Sequence, residues 1–146
     1  MIVKSLGTIA GFKAGDASVL RELLHPAKEP LAIGYSLAHA VVKAGGKTLP
    51  HRLKDAEVYY VLEGRGLMRV GDETAEIAAG QAVYIPPLAL QSIENLGTGD
   101  LSFLCIVDPA WTPAGLEPIY VLDRPPFEPH RIGAGEPDRG RPLWPE

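Results

Sequence analysis

The feature that most constrains this sequence is a run of short strand-like segments, each bounded by residues that favour turns. The segments are rich in β-branched, aliphatic and aromatic residues, and glycine, proline, asparagine or aspartate separates them. The predicted strands are Ile33–Val42, Glu57–Leu62, Leu67–Val70, Thr74–Ile77, Gln81–Ile85, Gln91–Glu94 and Leu101–Val107. Short strands at this spacing predict an all-β sandwich or barrel.

Size and composition suit a single domain of that kind. The chain has 146 residues, of which 46% are hydrophobic, enough for one core. A net charge of −4 and the lack of a basic run give no reason to expect nucleic acid as a partner. Cys105 is the single cysteine, and the sequence shows neither a signal-peptide pattern nor a membrane-length apolar run. We therefore expect a cytoplasmic protein without a membrane partner.

The two ends of the chain are less regular, and alternatives stay open there. Val3–Phe12 could hold an edge strand. Asp16–His25 has helical spacing behind a candidate cap, although a strand is the rival interpretation. From Leu122 the prolines recur, which predicts an extended arm or a disordered tail that Phe127 and Trp144 could anchor. The expected division is residues 1–32 packing on the barrel, a barrel over 33–121, and a proline-rich arm over 122–146.

Two glycine-bracketed blocks carry the chemistry of the middle region. The first runs from Gly45 to Gly64 and the second from Gly80 to Asn95. Between these ends stand, in order, His51, Leu53, Glu57, Pro86, Leu88 and Gln91.

The spacing of these blocks resembles the two motifs of the cupins, G-x5-H-x-H-x3,4-E-x6-G and G-x5-P-x-G-x2-H-x3-N. The resemblance covers about 33–111 and implies a double-stranded β-helix, or jelly-roll barrel, that often forms homodimers. In the family these motifs place four metal ligands inside the barrel. Here Leu53 and Gln91 stand where two of the ligand histidines would be, and Leu88 replaces a glycine.

Strand alternation puts Glu57 and Tyr59 on one face, which the resemblance makes the barrel interior. His51, Glu57 and Gln91 would converge there as the ligands of a weakly held divalent metal ion (Zn, Ni, Mn or Fe). The alternative is a hydrogen-bonded cluster of the same residues without metal. In either case His51 and Glu57 are the candidate catalytic residues, as a general acid–base pair.

Further residues are candidates for binding a substrate, namely Gln91, Tyr59, Tyr84 and Ser36. The register that turns Ser36 inward turns His39 outward, toward a surface or an interface. Cys105 is interpreted as a buried structural thiol.

Two hypotheses about function follow from this incomplete ligand set. The leading one is a metal-dependent cupin enzyme of isomerase or dioxygenase type, acting on a small polar acid or a sugar-like molecule. The alternative is a metal-free cupin module that binds a small molecule without catalysis. In both, Val58, Tyr60 and Leu62 alternate with the inward residues and form an apolar outer stripe, which predicts a homodimer.

Overall fold

The computed structural model describes residues 1–13 and 18–113, together with the backbone of 116–117. Its strands are β1 (Phe12–Lys13), β2 (Val19–Leu24), β3 (Ser36–Val42), β4 (Arg52–Leu53), β5 (Ala56–Glu63), β6 (Arg65–Val70), β7 (Glu73–Ala78), β8 (Ala82–Ile85), β9 (Gln91–Asn95), β10 (Leu101–Asp108) and β11 (Leu116–Glu117). A 3₁₀ turn lies at Leu6–Thr8, ahead of the first strand.

The strands form two facing layers. The larger sheet has the order β1-β2-β3-β10-β5-β8, the smaller one has the order β7-β6-β9, and β11 pairs with β4. All of these pairings are antiparallel. Strands far apart in the chain are neighbours in the larger sheet, as β3 and β10 are, which gives the nested pairing of a jelly roll.

The predicted strands are confirmed, with small shifts at their ends. The first begins at Ser36 rather than at residue 33. The open question at the N-terminus is decided in favour of a strand, because Val19–Leu24 pairs with β3 and buries Leu20 against the core. Tertiary pairing overrides the helical propensity of this short segment. The expected edge strand is confined to Phe12–Lys13.

The core lies between the two sheets. Val61 and Leu101 are 0% exposed, and Ile93 from the smaller sheet packs into the same cluster. The rings of Tyr59 and Phe103 meet at a centroid distance of 4.4 Å with an interplanar angle of 37°. This tilted aromatic pair forms the boundary between the close-packed core and the cavity described below.

Leu88 occupies the turn between β8 and β9 with a φ of 65°. This is the left-handed region, which favours glycine and strains a side chain with a Cβ. The backbone N–H of Leu88 donates to the carbonyl of Leu53 at 2.8 Å, which holds the turn against β4. The leucine that replaces the motif glycine therefore keeps the glycine conformation.

No helix in the described ranges is long and apolar enough to span a membrane. The proline-rich arm predicted from residue 122 onward lies outside the described residues, as do Phe127 and Trp144.

Candidate functional site

A cavity opens at the inner face of the larger sheet. Its volume is about 80 Å³, several times the ~10–15 Å³ that one water molecule requires. Strands β2, β3, β5 and β10 contribute to its wall, together with the segments around Thr48 and Trp111. The polar residues that the sequence placed inward, His51, Glu57, Tyr59 and Ser36, all line it.

His51 is held at this wall by its own backbone. Its N–H donates to the Gln91 carbonyl at 3.0 Å, and the Gln91 N–H donates to the His51 carbonyl at 2.9 Å. The side-chain Nδ1 lies 3.0 Å from the carbonyl oxygen of Leu49. Since a carbonyl oxygen only accepts, Nδ1 carries a proton, and in the neutral imidazole Nε2 is the basic nitrogen.

Glu57, Gln91 and Tyr59 form a buried polar chain. The Gln91 amide Nε2 donates to Glu57 Oε2 at 2.8 Å. The Tyr59 hydroxyl donates to Gln91 Oε1 at 3.1 Å. The three residues are between 1% and 5% exposed, so bulk solvent competes little for these bonds. The direction of donation is therefore from Tyr59 through Gln91 to Glu57.

This arrangement changes the role expected of Gln91. At 1% exposure its side chain lies behind the cavity wall, and both ends of its amide are engaged by Glu57 and Tyr59. It orients two cavity residues rather than presenting an oxygen to a substrate or a metal. Leu53, at another of the family's ligand positions, lines the cavity with an apolar side chain.

The donor set fits a resident metal ion poorly. His51 Nε2 and the Glu57 carboxylate are the family's two retained ligands, and Gln91 Oε1 already accepts the Tyr59 proton. Among the described residues no group of three or more His, Cys, Asp or Glu side chains could hold a metal ion. Tightly bound transition metals in proteins generally take three or four such ligands.

Ser36 faces the cavity as expected, but its hydroxyl is engaged with the neighbouring backbone. The Trp111 N–H donates to Ser36 Oγ at 2.9 Å. His25 Nδ1 accepts from the Ala27 N–H at 3.1 Å, so its Nε2 carries the proton and donates to the Trp111 carbonyl at 2.7 Å. Ser36 and His25 thus hold the backbone of Trp111 in place, and Trp111 lines the cavity.

The expectation that Tyr84 reaches the cavity is wrong. Tyr84 pairs with Val58 across the β5–β8 ladder, and it is 64% exposed on the outer face. Its neighbours Val83 and Ile85 pair with Tyr59 and Glu57, and these two residues of the strand point inward. Cross-strand partners share a face of the sheet, so the known direction of Glu57 determines the direction of Tyr84.

His39 differs from expectation, whereas the burial expected of Cys105 is confirmed. His39 lies off the cavity, as predicted, yet it is 7% exposed rather than at a surface. Its Nδ1 has no hydrogen-bond partner in the described part of the chain. Burial and, secondarily, the Arg21 guanidinium hold the pKa of His39 below its usual value. Cys105 is buried and also lines the cavity. It lies between its cross-strand partners Ala38 and Tyr59 on the two neighbouring strands.

Several wall residues were not among the sequence candidates. Phe103 could have been found, because it alternates along β10 with residues that face outward and pairs with Val61. Phe12, Thr48 and Trp111 come from short or irregular segments, where no periodicity indicates a direction.

The wall is poor in positive charge. Glu57 and Glu22 line the cavity, whereas the described lining includes neither lysine nor arginine. Glu22 is paired with Lys28 at 2.6 Å, which offsets its charge at the surface. Glu57, at 5% exposure, is the buried carboxylate of this lining.

The fold and the site together define a cupin-type barrel with an incomplete ligand set. The sequence profile of the cupin domain matches residues 38–107. The chain is also 44% identical over 98 residues to the uncharacterised protein MJ1618 of Methanocaldococcus jannaschii, covering 66% of this chain and 78% of that protein. The protein belongs to the cupin family.

Solved structures agree on the architecture. A predicted oxalate decarboxylase from Thermotoga maritima superposes with a TM-score of 0.66 at 25% identity, covering 75% of this chain and 99% of the other. The polyketide cyclase RemF of Streptomyces resistomycificus gives 0.63 at 22% identity, with 74% and 79% covered. At 22% identity, the similarity to RemF shows a shared fold and nothing further. The prediction of an all-β, cupin-type barrel is confirmed.

Proposed function

We propose that this protein is a cupin that binds a small organic molecule in its barrel cavity without a tightly held metal ion. The observation that carries the proposal is the buried polar chain of Tyr59, Gln91 and Glu57. It engages the side chain at the position where the family places a ligand histidine. A hydrogen-bonded cluster of this kind is satisfied without a cation.

The same site is equipped for proton transfer. His51 presents a basic Nε2 because Nδ1 donates to Leu49, and Glu57 lies on the same cavity wall. Gln91 holds the Glu57 carboxylate in one orientation, and this limits the reorganisation that a proton transfer would need. His51 and Glu57 would be the catalytic residues if the bound molecule is turned over.

The test uses a cavity-filling variant and its matched control. Ala38→Phe places a ring in the cavity, whereas Leu37→Phe changes the adjacent residue of the same strand, whose side chain points the other way. Organic molecules retained by the purified full chain are extracted and identified by mass spectrometry. Retention by wild type and Leu37→Phe but not by Ala38→Phe supports the proposal. Equal retention by all three contradicts it.

A weakly held divalent cation is the second candidate, and one observation favours it. Metal-binding histidines usually donate their other ring nitrogen to a carbonyl or carboxylate, as His51 does to Leu49. Such an ion would be held by His51 and Glu57 and would act as a Lewis acid toward a ligand. The choice of an isomerase or dioxygenase reaction for such a site would rest on the family resemblance.

Metal content separates the two candidates. Untagged protein is analysed beside Glu57→Ala and Gln91→His. We expect little metal in wild type and stronger binding by Gln91→His, because imidazole replaces a neutral amide at the position where the family places a ligand histidine. Stoichiometric metal in wild type that is lost in Glu57→Ala would overturn the metal-free proposal.

A homodimer is proposed as the form that carries the site. The outer stripe is half-exposed, with Tyr60 at 42% and Leu62 at 44%, and Tyr84 adds a further exposed ring beside Val58. A second copy of the chain would bury this apolar surface. A cytoplasmic location stays a prediction.

A further inference from the structure

The inner face of the larger sheet has a notch where successive side chains are small, and the shape of this notch indicates what the cavity binds. We infer that the notch takes a single aromatic ring, which packs against Phe103 and is held by apolar contacts. The inference rests on the proposed small-molecule function and names the ligand class of the same cavity. This class differs from the small polar acid or sugar-like molecule expected from the sequence.

The notch follows from the register of the strands. Ala40 of β3 pairs with Leu20 on one side and with Phe103 on the other. Phe12 in turn pairs with Leu20. Cross-strand partners share a face of the sheet on strands about 5 Å apart, so these four side chains form one row. All four residues line the cavity, and the alanine leaves a gap between larger neighbours.

The next row along β3 widens this gap. Ala38 pairs with Cys105, which pairs with Tyr59, so two short side chains precede the next ring. Two inward rows of a strand are about 7 Å apart, which suits one ring rather than a fused ring system. The rings of Phe103 and Tyr59 border the notch and pack at a centroid distance of 4.4 Å. A ligand ring would extend this pair by edge or face contacts.

The volume of the cavity sets the size of the ligand. Protein interiors contain few voids larger than a water molecule, and the core beside the notch is close-packed, with Val61 and Leu101 at 0% exposure. The cavity nevertheless measures about 80 Å³. An engineered, closed cavity of about 150 Å³ binds benzene. The notch is smaller but open on one side, so a single ring can lie in it without being fully enclosed.

The polar side chains of the lining have partners within the protein. Ser36 Oγ accepts from the Trp111 N–H at 2.9 Å, and Thr48 Oγ1 accepts from the Ile93 N–H at 2.9 Å. Partners also engage Ser18, Glu22, His51, Glu57 and Tyr59. A polyol would have to displace such bonds or leave its own hydroxyls unsatisfied, whereas an aromatic ring requires neither.

Matched alcohols isolate the contribution of the ring. Benzyl alcohol and cyclohexylmethanol share a hydroxymethyl group and their number of carbon atoms, but only the ring of the first is flat and aromatic. Glycerol represents a polyol. Dissociation constants are measured for the full chain by ligand-observed NMR titration at neutral pH. We expect benzyl alcohol to bind about threefold or more tighter than cyclohexylmethanol, because aromatic pairs contribute beyond the area that they bury. Glycerol should show no saturable binding.

A first variant tests whether the ring lies in the notch. Ala38→Phe fills the notch with a ring of the protein itself and should weaken the binding of benzyl alcohol by about tenfold or more. Leu37→Phe, on the other face of the same strand, should leave the dissociation constant unchanged. Equal weakening in both variants, or in neither, would overturn the placement of the ring.

A second variant tests the contact with Phe103. Phe103→Leu keeps an apolar side chain but removes the aromatic ring, so the ratio of the two dissociation constants should fall to about one. Because both alcohols are measured on the same sample, partial unfolding of the variant does not change this ratio. Ile93→Val, a buried change outside the cavity lining, should keep the wild-type ratio. A wild-type ratio in Phe103→Leu would overturn the contact.

Two further outcomes distinguish this inference from the function on which it rests. Tighter binding of cyclohexylmethanol or glycerol than of benzyl alcohol, abolished by Ala38→Phe, would overturn the ligand class while leaving the cavity as a binding site. Binding of none of the three alcohols, together with an equal content of extracted organic molecules in wild type and Ala38→Phe, would overturn both.

Discussion

Replacing Gln91 by leucine tests whether the buried polar chain holds the site together. The substitution keeps a side chain of similar size but removes the donor to Glu57 Oε2 and the acceptor for the Tyr59 hydroxyl. Both partners remain buried, at 5% and 4% exposure, so only water held inside the cavity that they line can replace the lost bonds.

The expected cost follows from the two bonds. Loss of a hydrogen bond to an ionised carboxylate costs about 1.5–3 kcal/mol, and an unsatisfied buried hydroxyl adds about 1 kcal/mol. Gln91→Leu should therefore lower the free energy of unfolding by roughly 2–4 kcal/mol, because the apolar gain of the leucine offsets only part of the loss. Tyr59→Phe removes one bond alone and should cost about 1 kcal/mol.

The assay is urea denaturation at neutral pH and one protein concentration, with the slope compared between variants. Gln81→Leu is the matched control, since the exposed Gln81 side chain accepts a single bond from the Ala78 N–H at 2.7 Å. Its loss should cost at most about 1 kcal/mol, because water can take its place. Equal costs for Gln91→Leu and Gln81→Leu would refute the reasoning that the chain is shielded from solvent.

Three further predictions concern the rest of the barrel. At position 88, where φ is 65°, the Gly variant should be more stable than the Ala variant by about 0.5–1 kcal/mol. At the exposed strand position Thr74 the Ala variant should instead be the more stable one. The free energies of unfolding of all four variants are measured in denaturant, and the same order at both positions would contradict backbone strain at Leu88. Because the folded-state pKa of His39 is lowered, the unfolded state binds more protons as pH falls below about 6.5, so stability is present above that pH and declines below it. His39→Phe should lose less stability than wild type in thermal unfolding between about pH 7.5 and 5, and an equal loss would show that His39 does not contribute. Leu62→Glu should shift the protein from dimer toward monomer in light scattering, and a wild type that is monomeric at micromolar concentration would refute the homodimer.

Much of the architecture could be predicted from the sequence because strand signals are local. Alternation and turn residues located β3 and the strands from β5 to β10, and the glycine spacing indicated the family. Alternation put Glu57 and Tyr59 on one face of their strand, and the family resemblance made that face the interior and added His51 to it. All three residues line the cavity.

The alternation of side chains between the two faces of a strand also explains why Tyr84 was wrongly expected in the cavity. Its direction depends on which residue of β5 it pairs with, and that register is set by the whole sheet rather than by the sequence of β8. In the same way, Val19–Leu24 forms a strand because it pairs with β3, although its local sequence favours a helix.

The sequence by itself determined the barrel, the shared face of Glu57 and Tyr59, and the loss of two ligand histidines. Only the tertiary structure decided what Gln91 does in their place, because the direction of a side-chain hydrogen bond depends on which partners come within 3 Å or so across strands. It also decided the character of the cavity, since Phe12, Phe103 and Trp111 are brought together from distant parts of the chain. The distance between these residues along the chain does not indicate that they are close in space; their proximity results from the packing of the sheets.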